Sequence, residues 1–152
     1  MKERTNQAWL DELRGPERDK ALADLRAFLV RGLGYSIANR SDVEGALIED
    51  LAQEALLKIL DNLDTFRGES RFTTWAQKIA VRVALTELRI MTTRPDEIGC
   101  DECFEQLDRF VDMKLDGADP AEAMPLVQDH LTRCASCREE FEALLAALEA
   151  MD

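Results

Sequence analysis

The densest group of reactive side chains lies late in the chain. His130, Cys134 and Cys137 spell H-x3-C-x2-C. The first spacing sets two ligands one helical turn apart on one face, and a tight turn within the second brings a third thiolate to the same point. Zinc takes four nitrogen or sulfur ligands in a tetrahedron, so a fourth must come from elsewhere. Cys100 and Cys103 are the other two cysteines and His130 is the single histidine, which leaves five candidates for four places. At i, i+3, Cys100 and Cys103 share one side of a helix. The charged start of the chain has no apolar run behind it, so an export signal is not expected, and a Cys/His cluster then points to metal rather than disulfides. Buried free cysteines are the simpler alternative. A module of ~55 residues buries little apolar surface, and a structural zinc would supply the missing folding free energy.

A second feature lies upstream. Arg71, Lys78, Arg82 and Arg89 fall within roughly 40° of one another on a helix, a basic stripe on a segment of nearly balanced charge. Such a stripe fits phosphate, although solvated charged faces are common. Phe72, Trp75, Ile79 and Val83 mark the inner side of the same helix, so Trp75 reads first as core. No second histidine or other base accompanies the cysteines, and the expectation is a protein that is not an enzyme.

The elements that must position these groups are helical. The chain has 152 residues, 46% of them apolar and 33% charged, with no stretch long enough to span a membrane. Few β-branched clusters count against a sheet, and the fold class expected is all-α, soluble and cytoplasmic. Thr5 can cap a first helix that Gly15 and Pro16 end, and Pro16 suits the first turn of a second helix with Leu22, Leu25, Leu29 and Leu33 as its stripe. A third helix is expected over residues 43–63. Residues 64–70 read as a loop, with Ser70 as the cap of the fourth helix. Helices near Cys100 and Pro125, and a last one carrying Phe141, Leu144, Leu145 and Leu148, complete the set. Residues 1–92 hold 14 Lys/Arg against 15 Asp/Glu, whereas residues 93–152 hold 5 against 16. That asymmetry predicts two modules, residues 1–90 and 98–152, joined by a linker over 91–97.

Two resemblances sharpen this reading. D-x-x-Q-E at Asp50, Gln53 and Glu54, followed by F-R-G-E-S-x-F-x-T-W starting at Phe66, closely resembles region 2 of bacterial sigma factors, in the extracytoplasmic-function group of the sigma-70 family. The likeness covers about residues 16–90 and implies a helical region-2 bundle. It implies that Asp50, Gln53 and Glu54 dock on RNA polymerase core. It further implies that Phe66, Arg67, Gly68, Glu69 and Ser70 capture a flipped base of the −10 promoter element. Arg71, Trp75, Lys78, Arg82 and Arg89 would face the opened single strand.

Residues 98–150 are similar to the zinc-binding anti-sigma factors, through Leu107, Phe110, Val111 and Asp112 and the H-x3-C-x2-C motif. That likeness implies zinc on Cys100, His130, Cys134 and Cys137, with Cys103 as the competing fourth ligand. The implied partners are RNA polymerase core, single-stranded promoter DNA and a sigma or anti-sigma factor, with no membrane. Region 2 is followed here by the acidic module instead of a second helical domain reading the −35 element. The acidic module could mimic nucleic acid and cover the basic face. The alternative function is a regulatory module that sequesters a sigma factor or polymerase, including a redox-sensitive zinc switch.

Overall fold

The computed structural model describes residues 3–37, 45–88 and 99–151. Among them are eight α-helices and one short 3-10 turn, and no strand. They run α1 (Asn6–Arg14), α2 (Arg18–Ser36), α3 (Gly45–Asp61), the 3-10 turn (Leu63–Thr65), α4 (Phe72–Leu88), α5 (Cys100–Leu115), α6 (Pro120–Ala123), α7 (Pro125–Arg133) and α8 (Ala135–Met151). The fold class is all-α, as expected. No described helix is long and apolar enough to cross a membrane.

Local sequence explains most of the boundaries. The Thr5 hydroxyl accepts the Ala8 N–H and caps α1. Pro16 lies in the turn before α2, which begins two residues later at Arg18. Gly32 and Gly34 do not end α2, because Gly32 is buried and lets α4 approach: a Cβ there would sit 2.2 Å from Gln77 Oε1. Leu25, Leu29 and Leu33 are fully buried, each worth about 1.5–3 kcal/mol of transfer free energy. The short helix α6, begun by Pro120 and capped by the Asp119 carboxylate, has no counterpart in the sequence reading.

The start of α4 is built differently from expectation. Ser70 does not cap it. The Asn6 side chain, at the start of α1, accepts the Phe72 N–H at 2.7 Å and donates to the Ser70 carbonyl at 2.8 Å. Asp112 of α5 accepts the Arg71 N–H at 2.9 Å. Two of the open N–H groups of this helix start are thus satisfied by distant side chains, which ties α4 to α1 and α5 together.

Two cores share α4 as a wall. Phe72, Trp75, Ala76, Ala80 and Val83 face a core built with Trp9, Leu13, the α2 stripe, and Leu51, Ala55 and Ile59 of α3. Val81 and Leu85, on the other side of α4, pack with Leu107, Phe110, Val111, Leu131 and Leu144. Helix α8 also lies along α2, where the Ser36 hydroxyl donates to the Ala143 carbonyl. The C-terminal helices therefore pack directly on the N-terminal ones.

Candidate nucleic-acid face and metal cluster

The metal candidates come from three helix ends. Gly99 precedes α5 at φ +98°, a conformation that favours glycine, and it sets Cys100 in the first turn. His130 is in the last turn of α7, Cys134 follows that helix in an extended conformation, and Cys137 is in the first turn of α8. One ligand atom from each of Cys100, His130, Cys134 and Cys137 lies within 4.8 Å of all the others. The Sγ atoms of Cys100 and Cys134 are 3.7 Å apart. A tetrahedron with Zn–S bonds of ~2.3 Å has an edge of about 3.8 Å, so the spacing fits. His130 Nε2 is buried with no hydrogen-bond partner among the described residues, as a nitrogen kept for a metal would be. The Cys137 N–H points at Cys134 Sγ at 3.5 Å, an outer-shell support for a thiolate. These four side chains could hold a metal ion.

Cys103 is buried one turn further along α5, outside the tetrad. Its thiol accepts a hydrogen bond from Cys137, which lowers its pKa, whereas donating that bond and burial push Cys137 well above the ordinary thiol value.

The upstream candidates occupy a loop and one side of α4. Gly68 takes φ +73° and turns the loop over residues 66–70. Arg67, Gly68 and Glu69 are exposed, whereas the Phe66 ring packs against Phe72 at 5.4 Å and Trp75 at 5.1 Å. Trp75 is 8% exposed, within an aromatic cluster that Trp9 completes by stacking on Phe72. Phe66, Arg67, Trp75, Lys78 and Arg82 line a groove of about 940 Å³, to which Phe104 of α5 also contributes. Asp50 and Gln53 are exposed on α3 with Leu57 one turn on, and Glu54 is half-buried beside them. Arg89 lies outside the described residues.

Each described cation of the basic stripe meets an acid of the C-terminal helices, although Arg71 stays about half exposed. Arg71 pairs with Asp112 at 3.3 Å and Asp116 at 2.8 Å. Lys78 is buried, and its Nζ donates to Asp108 Oδ1 at 2.8 Å. Ser70 donates to the other oxygen of Asp108, and Thr74 to Asp112 at 2.7 Å. Arg82 stacks over the Phe104 ring, 3.8 Å from its centroid, and its Nε lies 3.5 Å from Glu140 of α8. The sequence pointed to the acidic module as a possible cover for this face but did not single out Asp108, Asp112, Asp116 and Phe104 as the side chains that meet it. The signal was there: three aspartates four residues apart lie along one face of α5.

The comparisons with known proteins bear on this upstream half. Residues 25–90 match the Sigma-70 region 2 family model. Among curated relatives, the chain is 38% identical over 66 residues to an ECF RNA polymerase sigma-E factor of Haemophilus influenzae, covering 43% of this chain and 32% of that protein. It is 41% identical over 54 residues to the protein of the same description in Escherichia coli K12, covering 36% and 28%. The chain spans about a third of the length of the curated relatives it matches. No solved structure matches it at a significant level. The region-2 match includes α3, the loop and α4, and so contains every upstream candidate residue.

Proposed function

We propose that the chain is a transcription-initiation protein whose region-2 segment docks on RNA polymerase core and recognises the unpaired −10 strand, and whose C-terminal helices form a zinc-binding, anti-sigma-like regulatory module. The observation that carries this reading is the match over residues 25–90 together with the groove formed there, in which a glycine bend and cationic and aromatic side chains of α4 converge. A base drawn out of its stack needs polar edges and an apolar wall, and the displaced strand needs cations that track its phosphates. Asp50, Gln53 and Glu54 of α3 are the proposed core-docking residues, and the exposed Leu57 gives that face an apolar centre.

Residues 66–70, with Arg71, Trp75, Lys78, Arg82 and Arg89, are the proposed strand-binding set. Trp75 serves there as the rigid wall beneath Phe66, since it is largely buried. Cys100, His130, Cys134 and Cys137 are the proposed zinc ligands. Zinc bound there would act structurally: three thiolates and an imidazole fill all four positions and leave none for a water.

The reading is tested by equilibrium binding of the full chain to purified RNA polymerase core. Measurable binding is expected, weakened at least about tenfold by Asp50→Arg/Gln53→Arg, because two charges placed on an interface core typically cost more than 1.4 kcal/mol. Failure of the unaltered chain to bind core, or equal binding by the variant, would contradict it. Core binding without any promoter complex under any condition would favour the sequestering alternative.

A further inference from the structure

The α3 face and the α4 face differ in what covers them. Helix α3 packs on α2, α4 and the 3-10 turn, and Asp50, Gln53 and Leu57 remain exposed. Along α4, by contrast, every described cation of the stripe meets an acid of the C-terminal helices. Asp108, Asp112 and Asp116 rise at ~6 Å per step along one side of α5. They take Lys78 with Ser70, then Arg71 with Thr74, then Arg71 again. The three carboxylates form a row of negative charges on a straight support, at a pitch comparable to successive phosphates of an extended single strand. They engage side-chain donors and cations of the kinds that bind a phosphate backbone. Asp112 even accepts the backbone N–H of Arg71 at the start of α4, where a helix N-terminus favours an anion.

We propose that α5 is a built-in imitation of the promoter strand: its Asp108–Asp112–Asp116 face occupies the strand-binding side of α4 while the polymerase-docking face of α3 stays open. In this arrangement the chain binds core without gripping the opened −10 strand, and it holds a place on the enzyme that a competing initiation factor would need. This inference rests on the region-2 reading above. Release of α5, rather than a change in α3, is the step that converts the bound chain from blind to competent.

The test compares the unaltered chain with two variants. Asp112→Asn/Asp116→Lys removes the two carboxylates on Arg71 without stranding a buried charge. Asp108→Asn frees Lys78. Each is titrated, as an intact protein with a checked melting transition, against a fluorescein-labelled single-stranded DNA oligonucleotide of mixed sequence and, separately, against RNA polymerase core. Both variants should bind the oligonucleotide at least about fivefold tighter than the unaltered chain, with a log–log salt slope steeper by about 0.7 for each cation released, the value for single strands. Their affinity for core should be unchanged. If core binding holds while a folded variant binds DNA no more tightly than the parent, the strand-imitation proposal fails. If no protein in the set binds core, the region-2 reading fails instead. Should Asp108→Asn not fold, Asp112→Asn/Asp116→Lys decides alone, since Asp116 is exposed and Asp112 faces no buried cation.

Discussion

Cys134→Ser should abolish stoichiometric zinc, from about one ion per chain to a small fraction of that, in metal analysis of the purified protein. Cys134 sits between α7 and α8, and its Sγ is 3.7 Å from that of Cys100. Losing it opens the tetrahedron and unlinks three helix ends at once. Structural zinc sites carry about 10 kcal/mol or more of apparent binding free energy, which is folding free energy where the site does not preexist in the unfolded chain. Even a few kcal/mol of it would shift the melting transition of a chain this size by about 10 °C, so a strong chelator should lower it by at least that much. Cys103→Ser is the control. Because Cys103 lies outside the tetrad, that variant should keep its zinc; loss of zinc there and retention in Cys100→Ser would move the fourth ligand to Cys103. Affinity should also fall as pH falls, since the thiolates and the imidazole must be deprotonated to bind.

The second large effect concerns the buried pair. Lys78 and Asp108 are both nearly inaccessible, with Nζ and Oδ1 2.8 Å apart between α4 and α5. Asp108→Leu strands an ammonium in an apolar setting and leaves Ser70 without its carboxylate. We expect a loss of about 3–5 kcal/mol in denaturant unfolding, the usual result of removing one member of a buried pair. Lys78→Met/Asp108→Leu replaces both charges by apolar volume and should recover most of that loss, because a buried ion pair contributes little net stability over a hydrophobic substitute. A single-variant loss below ~1 kcal/mol would mean that water reaches the pair, and α5 would then not be seated on α4.

The elements legible from sequence were those set by short-range pattern. Thr5 before α1, the Leu25–Leu29–Leu33 stripe and the inward Leu107, Phe110 and Val111 of α5 each follow from spacing within one helix. The Cys/His cluster was legible for the same reason, since His130, Cys134 and Cys137 lie within two helical turns. Spacing alone left the choice between Cys100 and Cys103 open, and only the family likeness favoured Cys100, because the choice depends on how α5 enters beside α7, where Gly99 takes a positive φ.

Ser70 shows the limit of local reasoning. Its type and position suit a cap, yet its hydroxyl is drawn to Asp108, and Asn6 and Asp112 serve the helix start from 66 and 41 residues away. The basic stripe shows it again. Helical geometry placed Arg71, Lys78 and Arg82 on one side, but no periodicity within α4 could show that α5 would bury Lys78. Three aspartates at i, i+4, i+8 resemble an ordinary solvated face until their partners are seen.

In the function proposed above, the loop over residues 66–70 and the cationic side of α4 grip unpaired promoter bases while α3 rides on polymerase. The most direct measurement is formation of a ternary complex between core, this chain and a fork-junction DNA already unpaired over its −10 element. With Asp112→Asn/Asp116→Lys, a complex requiring all three components is expected, formed at least about fivefold more readily than with the unaltered chain. If that variant binds core yet never retains the fork-junction DNA, at any salt concentration that preserves core binding, the account is wrong.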